Sequence, residues 1–89
     1  MERREKLEMK KERFQYDFKD LYITAYLLCK GGKLVQVKSN GNVKIFTLEF
    51  PHEIEGLLKE YYNEEALVNP KQFKNKIQDL KSIINQDRI

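Results

Sequence analysis

Along the chain the spacing of apolar positions changes rhythm several times, and each rhythm names an element. Residues 2–13 (ERREKLEMKKER) offer only Leu7 and Met9 as apolar positions. Glu2 with Lys6 and Arg4 with Glu8 stand at helical spacing, yet such pairs contribute only ~0.2–0.5 kcal/mol each. The stretch 1–13 therefore predicts a charged tail, flexible or helical. At Phe14 a period of two begins: Phe14, Tyr16 and Phe18 interleave with Gln15, Asp17 and Lys19, as in a short strand. A heptad-like spacing through Leu7, Phe14, Phe18, Leu21, Ala25 and Leu28 competes, as if one long helix ran through. The strict alternation of aromatics favours the strand.

Residues 21–29 (LYITAYLLC) carry no charge. Asp17 and Asp20 ahead of them supply N-cap carboxylates and Gly31-Gly32 behind them a stop, which predicts a helix buried on most sides. Tyr22 and Tyr26, one turn apart, are expected to carry their hydroxyls to its rim. A hairpin follows. Asn40-Gly41 is the preferred pair for a type I′ turn, and that loop sets Val37 opposite Lys44, Val35 opposite Phe46 and Lys33 opposite Leu48. One face then holds Val35, Val37, Phe46, Leu48 and Phe50 and covers the buried helix. The other holds Leu34, Gln36, Lys38, Val43, Ile45, Thr47 and Glu49, a mixed set. A two-stranded ribbon alone is barely stable, so a third strand comes from residues 14–18 or from a second chain.

Pro51 suits the first turn of a helix, and Ile54, Leu57, Leu58, Tyr61 and Tyr62 form its apolar stripe up to Asn63. Ala66-Leu67-Val68 is expected to tuck against the core. Asn69-Pro70 then caps and opens a last helix whose inner face is Phe73, Ile77, Leu80 and Ile84. The expected fold class is α+β: a small antiparallel β-hairpin, with or without a third short strand of its own, packed against three helices in the order (β)-α-β-β-α-α. Residues 14–89 form one domain.

Composition narrows the classes. The apolar fraction of 40% suits a globular domain, and the charged fraction of 35% must sit mostly on its surface. No apolar run approaches the ~18–20 residues of a membrane span. No apolar stretch follows Met1, so no secretory signal is expected. A lone cysteine, Cys29, forms no internal disulfide and fits a reducing, cytoplasmic setting. A domain of this size buries only ~60% of its extended-chain surface, so self-association or a partner would add stability.

Several segments together resemble one family. They are the run Phe18-Lys19-Asp20-Leu21-Tyr22-Ile23-Thr24-Ala25-Tyr26-Leu27-Leu28 with Gly31 or Gly32, the strand 46–50, Tyr61-Tyr62-Asn63, Leu67-Val68-Asn69-Pro70, and Leu80-Lys81. The family is the small prokaryotic and phage-associated domain of unknown function DUF5659, and the likeness spans roughly residues 14–84. The matching positions are mostly packing residues, so the resemblance implies a shared fold and carries over no catalytic or ligand residue. A phage or mobile-element context would point to nucleic-acid handling or to interference with a host complex.

Chemistry-bearing residues are few. Cys29 ends an apolar helix and reads as a small buried hydrophobe. His52, the only imidazole, falls beside Pro51 at a surface or capping position. A nucleophile needs a base within reach and a group to orient it, and the sequence nominates neither. There is no Cys pair, second His or HExxH spacing for a metal. Glu53 with Glu55 and Glu64 with Glu65 do not face one another on a helix. Gly31-Gly32 lacks a phosphate-loop frame. The expectation is a non-enzyme without cofactor, metal or small-molecule substrate.

Charge placement says more. The net +3 divides into +1 over residues 1–20, +4 over 21–48, −5 over 49–65 and +3 over 66–89. Lysines near the hairpin (Lys30, Lys33, Lys38, Lys44) and on the last helix (Lys71, Lys74, Lys81, with Lys76 offset) could meet phosphates without sequence preference. Tyr16, Tyr22 and Tyr26 are the aromatics left for base stacking. No RNP, KH or zinc-finger signature is present. The rival reading is a protein-interaction module that uses Leu34, Val43 and Ile45 on the mixed face, an exposed strand edge, or a homodimer joining basic to acidic segments. Those side chains would otherwise be covered by the last helix or the tail. The expected function is thus a small cytoplasmic binding protein whose partner is nucleic acid. The alternative is a regulator or inhibitor docking on a larger protein complex, or a dimerising accessory subunit.

Overall fold

The computed structural model describes residues 13–86. The aromatic alternation becomes strand β1 (Phe14–Phe18), and the uncharged segment becomes helix α1 (Leu21–Cys29). Strands β2 (Lys33–Asn40) and β3 (Val43–Phe50) form the hairpin, and helices α2 (Glu55–Tyr62) and α3 (Pro70–Gln86) follow. This is the expected α+β order, and the long-helix alternative through Phe14 does not form. Apart from Arg13, the tail expected over residues 1–13 lies outside the described residues.

The hairpin's return strand becomes the middle of the sheet, in the order β1-β3-β2, antiparallel throughout. On β1, Phe14, Tyr16 and Phe18 stand opposite Phe50, Leu48 and Phe46. Six aromatic or aliphatic side chains thus share the face that the helices cover. Arg13, Gln15 and Asp17 accompany the opposite, open face.

Local chemistry sets the ends of α1. The Asp20 carboxylate accepts the amides of Tyr22 and Ile23 at 2.7 and 2.9 Å, satisfying two otherwise orphaned donors. Asp17, the other expected cap, lies in β1 and serves the sheet instead. At the far end Gly31 takes φ 105° and the Gly32 amide returns to the Leu27 carbonyl at 3.0 Å, the left-handed stop that glycine allows. Between these ends Ile23, Thr24, Ala25, Tyr26 and Leu27 are buried.

Around α1 the core gathers in two parts. Ile23, Tyr26 and Leu27 pack with Leu48, Phe50 and Ile54, while Ala25 packs with Phe46 and Leu80 under Phe73, Ile77 and Ile84. The inner face expected for α3 is therefore the one used. Its start is as expected too: Asn69 Oδ1 accepts the amides of Lys71 and Gln72 at 2.9 and 3.0 Å.

Several local expectations are corrected. The hairpin closes at Asn40 opposite Val43, not around Asn40-Gly41. Gly41 has φ 69°, and Asn42 has no positive φ. Glycine in the left-handed region at the first central position alone defines a type II′ turn, where the expected type I′ needs positive φ at both. The register moves accordingly. Val37 faces Phe46, Ser39 faces Lys44 and Lys33 faces Glu49, with a bulge between Leu34 and Gln36. The bulge returns Leu34 to the helix side opposite Leu48 and leaves Val35 43% exposed. Leu34, expected on the mixed face, thus belongs to the core, and Val35 does not.

Helix α2 begins at Glu55 rather than at Pro51, because residues 51–54 bend so that Ile54 reaches the core, where it is buried. Tyr62 drops out of the expected stripe at 71% exposure, and Leu67 stands clear at 79% while Ala66 and Val68 pack inward. Tyr26 reverses the other way: its ring is buried and its hydroxyl donates to Glu60 Oε1 at 3.3 Å.

Candidate functional site

Register decides where the basic side chains go. Lys33 and Lys38 accompany Glu49 and Ile45 on the open face of the sheet, whereas Lys44 lies on the helix side near the turn. The hairpin lysines do not form one stripe.

The open face is largely neutralised from within. The Lys38 ammonium donates to Asp17 Oδ2 at 3.2 Å, and the Thr47 hydroxyl donates to Asp17 Oδ1 at 2.6 Å. The Thr47 bond first, then the Lys38 bond and charge, hold the Asp17 carboxyl below its ordinary value. Thr47, on the middle strand, is only 5% exposed, so its hydroxyl needs that acceptor. Arg13 Nε meets Glu49 Oε2 at 3.3 Å, and the Gln15 amide donates to Glu49 Oε1 at 3.1 Å. Lys33 stands opposite the same glutamate. No sequence signal pointed to the Asp17–Thr47–Lys38 group, because it spans three strands and depends on the shifted register.

The helix side differs. Lys44 Nζ donates to Ser39 Oγ at 2.7 Å. With Gly41, Asn42 and Ile84 it lines a cleft of about 380 Å³ among the described residues. Ile84 lies near the end of α3, so hairpin tip and last helix meet there. Lys81 precedes Ile84 by one turn, and Lys74 lies two turns before Lys81 on the same flank. Lys71, Lys74 and Lys81 are exposed and make no ion pair with a described residue. Lys30 lies apart, at the end of α1, with Nζ 5.8 Å from the centre of the Tyr26 ring.

Of the aromatics expected at the surface, Tyr22 is exposed, Tyr16 is half-buried against Phe18 and Phe50, and Tyr26 is enclosed. Burial first, then Glu60, pushes the Tyr26 hydroxyl's pKa up. Tyr62, whose spacing suits the core, is instead an exposed ring that packs edge-on to Tyr61 at 5.4 Å. Of the apolar interface candidates, Val43 is 41% exposed and Ile45 half-buried on the open face, while Leu34 is in the core.

Cys29 and His52 keep separate company. Burial raises the Cys29 thiol's pKa against the opposing pull of Lys76 and Lys30. His52 Nδ1 lies 3.0 Å from the Glu53 carbonyl, with its ring 5.8 Å from that of Phe50. Among the described residues no group of three or more His, Cys, Asp or Glu side chains is placed to hold a metal ion, and no helix is long and apolar enough to cross a membrane.

Against known families, the domain of unknown function DUF5659 matches residues 13–86, the whole described chain. The chain belongs to the DUF5659 family. No curated protein and no solved structure matches it. The DUF5659 match begins one residue before β1 and ends with α3, so the open face, the hairpin-tip cleft and the α3 lysines all fall within the family's domain.

Proposed function

We propose that this DUF5659 domain acts by binding rather than by catalysis, and that it associates with nucleic acid along the hairpin tip and α3. One observation carries the reading: the two basic segments, distant in sequence, join at the cleft shared by Lys44 and Ile84. From there Lys81, Lys74 and Lys71 continue along α3 without ion pairs to described residues. Such a row suits a phosphate backbone, whose condensed counterions are released on binding. The non-catalytic part of the reading is supported by the separate surroundings of the two groups, Cys29 half-buried near Lys76 and Lys30 and His52 against the Glu53 carbonyl and the Phe50 ring.

The test is titration of labelled single- and double-stranded oligonucleotides across a salt series. Lys74→Glu and Lys81→Glu should each weaken binding and flatten the log–log salt slope by about 1 for each phosphate no longer neutralised. Lys38→Glu should matter much less, since that ammonium already faces Asp17. No binding at low salt overturns the proposal.

A second reading, docking on a larger protein assembly, rests on the open sheet face. Val43 is exposed there beside half-buried Ile45, and on the same face Arg13 pairs with Glu49 and Lys38 with Asp17. Under that reading Ile45→Asp abolishes capture of a partner while Lys74→Glu does not.

A further inference from the structure

The two edges of the sheet are unlike. The β2 edge carries the devices that discourage strand addition: a bulge at Val35 and lysines at 33 and 38. The β1 edge carries fewer: it is short, and its one charge within the strand, Asp17, is flanked by Arg13 and Lys19 outside it. Its register against β3 is unbroken from Phe14 to Phe18, and it contains no proline, glycine or lysine.

Backbone alternation shows which groups β1 leaves open. The closing pair of a two-residue hairpin, here Asn40 and Val43, exchanges both backbone hydrogen bonds. Counting along β3, Val43, Ile45 and Thr47 then bond toward β2, and Phe46, Leu48 and Phe50 bond toward β1. Their partners Phe18, Tyr16 and Phe14 spend their amides and carbonyls on that ladder. The N–H and C=O groups of Gln15 and Asp17 point the other way, out of the sheet. Their side chains do not cover this edge, because they turn inward: Gln15 to Glu49, and Asp17 to Thr47 and Lys38.

We infer that the outer edge of β1 is the docking strand for a second copy of this chain, joining two three-stranded sheets into one of six strands about a two-fold axis. A two-fold pairing requires a strand to complement itself, and FQYDF does. Centred on Tyr16, it sets Phe14 against the second copy's Phe18 on the helix side, and Gln15 against Asp17 on the open side. The outward groups of Gln15 and Asp17 then bond reciprocally, as the antiparallel ladder demands. The strand's single charge is no obstacle, since Lys38 and Thr47 already engage the Asp17 carboxylate at 3.2 and 2.6 Å. Arg13, at the strand's entrance, is likewise engaged by Glu49. The inference is independent of the nucleic-acid reading.

Sedimentation of the full chain over a concentration series, combined with amide hydrogen exchange, tests it. The expected result is a mass that doubles from 10.7 kDa as concentration rises. In the dimer the Gln15 and Asp17 amides slow to the range of Tyr16, and dilution frees those two alone. Gln15→Pro removes only an outward amide, a position where an edge strand accepts proline, and should give a folded monomer. If that variant fails to fold, the exchange pattern of the unaltered chain decides. A chain monomeric at every concentration, a dimer that survives in folded Gln15→Pro, or a dimer whose Gln15 and Asp17 amides exchange freely overturns the inference. So does protection of those amides in a monomer, which would mean that another segment of the same chain occupies the edge.

Discussion

Two aspartates three residues apart do different work, and the difference is one of secondary structure. Asp20 ends its backbone extension at the start of α1 and caps two amides. Asp20→Ala should cost about 1 kcal/mol, read from chemical denaturation. Asp17 sits in β1 and gathers Thr47 and Lys38. Since folding lowers its pKa below the ordinary 3.8, its contribution is complete above that value and fades as pH falls through the folded pKa. Urea midpoints of the unaltered chain and Asp17→Asn should therefore differ at neutral pH and converge in acid below 3.8. A third residue carries strain: Glu64, just past α2, holds φ 61° while the Glu65 amide bonds the Glu60 carbonyl at 2.8 Å. Glu64→Gly keeps that helix stop without the side-chain penalty and should raise stability by about 1 kcal/mol.

At the scale of elements, close packing makes glycines unequal. A Cβ on Gly32 would lie 2.5 Å from the Phe50 ring and 3.0 Å from the Leu27 carbonyl, whereas Gly56, inside α2, has nothing within 4 Å. Gly32→Ala should destabilise by about 1–3 kcal/mol, and Gly56→Ala should stabilise by about 0.5–1 kcal/mol; thermal unfolding of both variants checks the opposite signs. The β2 register has its own test. Leu34→Ser should destabilise far more than Val35→Ser, the reverse of what the Asn40-Gly41 turn implies. That reversal marks the limit of what local sequence encodes. Element order, the α1 cap and stop, and the α3 inner face were legible because each rests on local spacing and cap chemistry. The register was not, because Asn40-Gly41-Asn42 offers a type I′ pair and a type II′ pair side by side. Only the fit of Val37 and Leu34 beneath the helices separates them. The start of α2 was hidden for a related reason: Pro51 is a legitimate first-turn residue, and the pull of Ile54 into the core outweighs it.

For the molecule as a whole, the candidate surface was half legible. Segment charges locate the basic hairpin and last helix, because charge counts need no geometry. Which lysines remain available depends on ion pairs that cross strands, and those engage Lys38 while leaving Lys71, Lys74 and Lys81 without a described partner. One of the two parts of the core rests on the longest-range closure: Leu80, 1% exposed, against Ala25 in α1. Leu80→Ala should cost about 2–5 kcal/mol, a large share of what a domain this small has, and should lower the urea midpoint more than any surface change described above. That closure also sets an order of events on the ribosome. Because Leu80 covers the Ala25 side of α1 from more than fifty residues later, while Leu48, Phe50 and Ile54 meet its Ile23, Tyr26 and Leu27 sooner, each nascent chain leaves that one side of LYITAYLLC short of its cover until α3 has been made. Translation stalled before Leu80 would therefore release a fragment prone to aggregation and open to proteases, while completion of α3 lets the whole domain close at once.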